Sequence, residues 1–229
     1  MTARKLVSLN IGMPITVPHN RTEVTTGIFK KPVSEGLMLT KLGFIGDGQA
    51  DTKHHGGPDK AVCAFCYEHF PYWTEQLGRE MEFGAFGENI TLEGMLEGDV
   101  CIGDTFKLGE AVVQITQPRQ PCFKLSVRYE APKLPVQMQD TGYTGFYFRV
   151  LEEGIVTPDA KLELMSRHEL GVTVDYANRI MHHEKTNVEG MQTLLAVDAL
   201  SESWRATFNK RIDGVVIDTS ERLEGKSSS

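Results

Sequence analysis

The spacing of apolar positions changes character once along this chain, near Thr173. Before it, short runs of β-type residues alternate with Gly and Pro, a rhythm that predicts a barrel or sandwich. Residues 5–11, 28–33 and 36–39 read as strands, with a loop at Lys31-Pro32 between the last two. Residues 43–51, rich in Gly and Asp, predict a turn. The apolar run 61–67 predicts a buried strand, and 68–77, with Phe70, Tyr72 and Trp73, a short helix. Further strands are expected over 100–108 and 111–116 around Gly109, over the aromatic-rich 142–150, and over 160–165. After that the period becomes helical, over 173–183, 187–200 and 201–212. Thr173, Asn187 and Ser201 suit the N-cap of each, since their side-chain oxygens can accept from the first free backbone N–H groups. Helices this short are marginal alone. Leu194, Leu195, Val197, Ala199 and Leu200 are expected to bind them together and dock them on the β region. The fold class read from this pattern is mainly β (α+β), with a barrel or sandwich region over 1–168, a three-helix domain over 169–215 and a tail over 216–229, disordered at its end.

Composition narrows the function. The 229 residues suit one large domain or one with a small appendage, and 40% hydrophobic with 24% charged content is ordinary for a globular chain. A net charge of −7 argues against non-specific nucleic-acid binding, but leaves a nucleobase or nucleotide open as a small-molecule substrate. The first residues carry Arg4 and Lys5, but the apolar run after them is broken by Ser8, Asn10 and Gly12, which speaks against a signal peptide. No run approaches a membrane span. A cytoplasmic protein is expected, with Cys63, Cys66, Cys101 and Cys122 reduced.

The candidate chemistry centres on Gln117-Pro118-Arg119-Gln120-Pro121-Cys122. Two prolines restrict the backbone before the thiol, and Arg119 would favour the thiolate that attacks electrophiles or binds a soft metal. The alternative is a small buried core residue, the commonest fate of a free Cys. Cys63-x-x-Cys66 is a single pair on a strand, where residues three apart point to opposite faces, and reads as packing. His54 and His55 lie in a loop with Gly56, Gly57 and Pro58. Adjacent side chains point apart there, so the loop offers backbone N–H groups, one imidazole and Lys60 to an anion, or is simply a surface turn. Asp47, Asp51 and Asp59 form no calcium loop. Asn89 in Gly87-Glu88-Asn89 could meet a ligand heterocycle, and Arg149 could clamp a phosphate. The P-loop, nucleophile-elbow and dinucleotide fingerprints are absent from the sequence.

Taken together, Gly46-Asp47-Gly48-Gln49-Ala50-Asp51, His55-Gly56-Gly57-Pro58-Asp59-Lys60-Ala61-Val62, Gly87-Glu88-Asn89-Ile90-Thr91, Ile102-Gly103-Asp104, the run from Gln117 to Leu125 and Thr144-Gly145-Phe146-Tyr147-Phe148-Arg149-Val150 resemble a MOSC domain. That family is named for the C-terminal part of molybdenum cofactor sulfurase. The three C-terminal helices are similar to those of its YiiM-like subgroup. The resemblance implies a mostly β, barrel-like fold and a pterin molybdenum cofactor whose metal is held by one Cys, here Cys122. It implies reduction of N-hydroxylated compounds, hydroxylaminopurine-type bases among them, as in the similar mitochondrial amidoxime-reducing enzymes. Electrons would come from a separate flavoprotein or haem protein. Pyridoxal phosphate, nucleic acid and a membrane are not expected as partners. Within this reading Cys122 is the metal ligand, and Asn89 and Asp51 contact the pterin or position substrate. Arg119, Lys60 and Arg149 neutralise the cofactor phosphate, and His55 donates a proton to the departing oxygen, a task suited to its near-neutral pKa. The competing reading is a protein that carries the cofactor, or carries or transfers sulfur as a Cys122 persulfide.

Overall fold

Eight strands form the main sheet of the computed structural model, which describes residues 4–20, 22–50 and 56–225. In chain order the strands are β1 (Lys5–Ile11), β2 (Ile15–His19), β3 (Thr22–Thr26), β4 (Lys31–Pro32), β5 (Leu37–Thr40), β6 (Gly43–Phe44), β7 (Val62–Cys66), β8 (Ile90–Glu93), β9 (Thr105–Leu108), β10 (Ala111–Pro118), β11 (Phe146–Glu152), β12 (Gly154–Val156) and β13 (Leu162–Ser166). The large sheet runs β13-β9-β10-β11-β7-β8-β1-β4, beside a three-stranded sheet β12-β5-β6 and a hairpin β2-β3. Its pairs are antiparallel except β7 with β8. A parallel pair needs a crossover, and helix α1 (Phe70–Leu77) lies within it.

The mainly β, α+β class holds, with one correction. Hydrogen bonding leaves β13 and β4 as free ends, so among the described residues the sheet stays open rather than closing as a barrel. The strand expected over 28–33 is also shorter, and Lys31-Pro32, expected as a loop, is its paired part. Proline lacks an N–H and is tolerated on an edge strand; Pro32 sits opposite Asn10 on such an edge.

The remaining helices are α2 (Lys124–Tyr129), α3 (Leu134–Thr141), α4 (Val174–His182), α5 (Val188–Leu195), α6 (Glu202–Ile212) and α7 (Ser220–Glu224). All three expected caps form: Thr173, Asn187 and Ser201 side chains accept from the N–H groups of Tyr176, Gly190 and Trp204. The three helices share the sheet's own core, in which Leu9, Phe106 and Phe148 are continuous with Ile180, Leu194, Trp204 and Phe208. A second core of Phe65, Phe70, Trp73, Phe86, Leu125 and Leu134 lies under α1, α2 and α3. There Phe65 and Phe86 stack with centroids 4.3 Å apart. Strand β7 is buried along its whole length. Val62, Ala64 and Cys66 enter the first core and Phe65 the second. Segment α7, within the expected tail, is folded and lies against the start of α2, where the Phe123 N–H donates to the Arg222 carbonyl at 2.8 Å.

Candidate active site

The turn between β10 and α2 carries Arg119 and Cys122. It is fixed from β11, because the Arg119 N–H donates to the Gly145 carbonyl at 3.0 Å. Gly145 has φ +71° and lies so close to β7 that a Cβ would meet the Ala64 carbonyl oxygen at 2.1 Å, so only glycine fits. Its N–H donates to Glu97 Oε1 at 2.8 Å. Glu97 Oε2 in turn lies 2.7 Å from His69 Nε2 and accepts from Cys66 Sγ at 3.7 Å. His69 stacks on Tyr143 with centroids 4.0 Å apart. The ligand atoms of Cys66, His69 and Glu97 group within 4.8 Å, close enough to hold a metal. Their hydrogen bonds satisfy one another, and the visible job of the cluster is to hold Gly145 and, through it, the turn.

Cys122 is 5% exposed and stands where two cavities meet. The smaller, about 70 Å³, is bordered by Lys30, Cys63, Asn89 and Arg119. The larger, about 350 Å³, runs from Gln117 and Phe123 to Met181 and Arg211 on the C-terminal helices and to Arg222 on α7. Lys60 and Tyr147 line both. No helix among the described residues is long and apolar enough to cross a membrane.

Of the residues singled out from sequence, Cys122, Arg119, Asn89 and Lys60 converge here. Asp51 and His55 lie outside the described residues, as does His54. Arg149 is placed elsewhere. It donates to Asp59 Oδ1 from Nε at 3.1 Å and Nη2 at 2.7 Å, and to the Ala199 carbonyl at 3.0 Å, tying β11 to the approach to α6. The phosphate clamp expected of it is therefore not what this geometry provides. Asn89 is near the site but engaged at both ends of its amide. Oδ1 accepts from the Cys63 N–H at 3.1 Å and Nδ2 donates to Asp47 Oδ2 at 2.9 Å. Asp47 also pairs with buried Lys30. Asn89 thus braces the wall of the cavity.

Arg119 is an unsatisfied group next to Cys122. It is 6% exposed, and its Nη1 is buried with no hydrogen-bond partner among the described residues. Its charge acts on Cys63, Tyr147, Cys122 and Glu88. Burial pushes the Cys63 thiol up, with Arg119 opposing. Burial likewise raises the Tyr147 phenol and the Glu88 carboxyl. Glu88 accepts from the N–H groups of Gly84 at 2.8 Å and Phe86 at 2.9 Å and from the Thr91 hydroxyl at 3.0 Å, so it shapes the loop. Sequence reasoning passed over Cys63, treated as packing, and gave no role to Lys30, Tyr147, His182, Arg211 or Arg222. For Cys63 a signal existed: opposite faces of β7 send Cys66 to Glu97 and Cys63 to the cavity.

Comparison with known proteins accords with this geometry. Residues 51–163 match the MOSC domain, and residues 172–214 match the YiiM-like 3-alpha helix domain. YflK of Bacillus subtilis (strain 168) is 52% identical over 208 residues, covering 91% of this chain and 94% of that protein. Protein YiiM of Escherichia coli (strain K12) is 42% identical over 205 residues, covering 88% and 91%. A Gibberella moniliformis (strain M3125 / FGSC 7600) protein named "Reductase" is 34% identical over 149 residues, which are 63% of this chain but 26% of that longer protein. The crystal structure of YiiM from Geobacillus stearothermophilus, 44% identical, superposes with a TM-score of 0.79 over 91% of this chain and 99% of that one. With its thiol-bearing turn, its sheet and its three added helices all matched, this chain belongs to the MOSC family and carries the YiiM-like three-helix domain.

Proposed function

We propose that this protein is an oxidoreductase that holds a pterin molybdenum cofactor through Cys122 and reduces N-hydroxylated bases to their amines. The observation that carries the reading is the pairing of Cys122, at the junction of two cavities, with the buried Nη1 of Arg119 beside it, which has no hydrogen-bond partner among the described residues. A buried guanidinium donor with no acceptor is costly unless a ligand supplies one. An anionic, oxygen-rich group is what that donor fits, and a soft thiolate suits a soft metal.

When bound, the cofactor supplies the two-electron chemistry that the protein's own side chains lack. The chain's residues bind and orient. Cys122 is the ligand, presented by a turn that Gly145 locks to β11. Arg119 donates from Nη1 to the anionic group. Lys30, paired with Asp47, and Lys60 line the same walls. Tyr147, whose phenol burial keeps protonated, offers an O–H donor facing both cavities. Electrons come from a separate flavoprotein or haem protein. The name of the Gibberella relative supports an oxidoreductase reading, and the match covers about a quarter of that protein.

The test is metal analysis of protein made in cells that synthesise the cofactor, beside Cys122→Ser. Near-stoichiometric molybdenum in the native protein, its loss in the variant, and reduction of a hydroxylaminopurine with an artificial electron donor are the expected results. Absence of molybdenum from both proteins overturns the reading.

A further inference from the structure

Away from Cys122, among the described residues, one group of side chains has the composition and the closeness of a metal site. It is Cys66, His69 and Glu97, whose ligand atoms all lie within 4.8 Å of one another. They are 0%, 5% and 4% exposed. Short steps of the chain bring them together. Cys66 ends β7, and His69 follows three residues on, at the end of the single helical turn Tyr67–His69. Glu97 lies in the loop after β8, the strand that runs parallel to β7 and sets Leu92 opposite Cys66. The donor set is mixed: a soft sulfur, an imidazole nitrogen and a carboxylate oxygen. That combination suits zinc rather than calcium or magnesium, which take oxygen ligands. None of the three lines either cavity at Cys122.

Each ligand is oriented by a contact of its own. Glu97 divides its oxygens: Oε1 accepts from the Gly145 N–H at 2.8 Å, so Oε2 is the one left facing His69 Nε2 at 2.7 Å and Cys66 Sγ at 3.7 Å. The His69 ring lies flat against Tyr143, with centroids 4.0 Å apart, and edge-on to Phe65. Such outer contacts are what fix a ligand's aim in a metal site. Cys66 Sγ is also 3.2 Å from the Met95 carbonyl oxygen, which offers a fourth donor. Around a tetrahedral zinc, with Zn–S about 2.3 Å and Zn–N and Zn–O about 2.1 Å, neighbouring ligand atoms stand about 3.4–3.6 Å apart. The two sulfur–oxygen spacings, 3.2 and 3.7 Å, bracket that range. The nitrogen–oxygen spacing, 2.7 Å, has to open by about 0.7 Å. Charge favours the same occupant. Burial first, and then the carboxylates of Glu97, Glu68 and Asp99, push the Cys66 thiol up, and a bound ion displaces its proton. Thiolate and carboxylate carry one negative charge each, so a divalent ion leaves the buried group neutral. That removes the cost of holding two anions side by side away from water.

We propose that Cys66, His69 and Glu97, with the Met95 carbonyl, form a structural zinc site that braces the thiol turn through Gly145. The site is separate from the molybdenum site and does not rest on the reductase reading. Four protein donors and no adjoining cavity leave no open position for a substrate, which is the arrangement of a structural zinc. Its effect passes along one series of contacts. The ion fixes Glu97, Glu97 holds the Gly145 N–H, and the Gly145 carbonyl accepts from the Arg119 N–H at 3.0 Å, three residues before Cys122.

The experiment is zinc analysis of the full-length protein as purified, followed by stripping and titration with zinc against a chromogenic chelator. It is repeated with Cys66→Ser, with Glu97→Gln and with a double variant, Cys63→Ser and Cys122→Ser. Near-stoichiometric zinc is expected in the native protein and in the double variant, which keeps every proposed ligand. Cys66→Ser and Glu97→Gln should each weaken zinc binding by about tenfold or more. Glu97→Gln retains a carbonyl oxygen for the Gly145 N–H, so it removes the anionic ligand while sparing that contact. Cobalt gives a second readout: the thiolate-to-cobalt absorption should appear in the double variant and vanish when Cys66→Ser is added. Native protein that takes up neither zinc nor cobalt overturns the proposal, whatever the variants do. Zinc lost from a folded double variant, or held undiminished by both Cys66→Ser and Glu97→Gln, also overturns it, because the ion then sits elsewhere. Molybdenum without zinc defeats this proposal alone, and zinc without molybdenum defeats the reductase reading alone.

Discussion

At His182 a buried imidazole faces guanidiniums, and the consequence can be read from pH. Its folded pKa, about 3, lies below the ordinary value of 6.5, chiefly through burial. Below 6.5 the unfolded chain takes up a proton that the folded chain refuses. The stability this residue carries is therefore full above about pH 6.5 and is lost as pH falls toward 3. A plot of unfolding free energy against pH should lose up to about 1.4 kcal/mol per pH unit in this window through His182. In His182→Gln that component should vanish, as urea denaturation at a series of pH values would show; identical slopes would refute it. Arg119 and Arg149 show how residue type alone misleads. Arg119 follows β10 and Arg149 lies within β11. Arg149 meets an acid 90 positions away, Asp59, and becomes structural. Among the described residues Arg119 meets no partner for Nη1 and becomes the candidate binder.

Among the elements, the join between sheet and helices depends on Asp59. Its Oδ1 accepts from Arg149, and its Oδ2 accepts from the Glu202 N–H at 2.9 Å, helping to cap α6. Asp59→Ala leaves a partly buried guanidinium and a helix end uncompensated. A cap is worth about 1 kcal/mol and a partly exposed ion pair up to about 1, so thermal or urea unfolding should report a loss of about 1–2 kcal/mol. No measurable loss would show that water replaces the carboxylate. The three caps of α4, α5 and α6 were legible because a cap is a local contact, three residues long. Strand β1 was legible with its bounds for the same reason: its pattern sits on one contiguous stretch. The hairpin β2-β3 was not, because it is mostly exposed and its sequence, Ile-Thr-Val-Pro-His against Thr-Glu-Val-Thr-Thr, lacks strict apolar alternation. Helices α2 and α3 were missed as well; α3 has Pro near its start, which suits a helix's first turn but reads as a breaker.

Across the whole molecule, the C-terminal segment closes the site. Arg222 and the Pro121 carbonyl it contacts are 101 residues apart, and Gly225 lies against the Phe123 ring. Ending the chain at Asp213 should therefore uncover Cys122, which is 5% exposed in the intact fold. Its reaction with a disulfide reagent should speed up several-fold, since access limits thiol exchange, while the circular dichroism of the sheet stays unchanged. An unchanged rate would show that α7 does not gate access. This covering also bears on the charge of the site. The chain carries −7 overall, yet the fold gathers Lys185, Arg211 and Arg222 on one wall, and local potential depends on such gathering rather than on the total.

What the sequence by itself determined is what short-range chemistry controls. It set the change from strand to helix near Thr173, the caps, the proline-fixed thiol turn, and an ordered series of motifs specific enough to indicate the family. Tertiary structure alone decided which of those residues meet. Lys60, Asn89, Arg119 and Cys122 converge across β7, β8 and the β10–α2 turn, and Arg149 is drawn away by Asp59. The open sheet, the core shared between sheet and helices, and the basic wall facing Cys122 likewise depend on contacts between distant segments. The physical reason is that burial and charge pairing are properties of neighbours in space, and chain order specifies those neighbours only after the sheet has assembled.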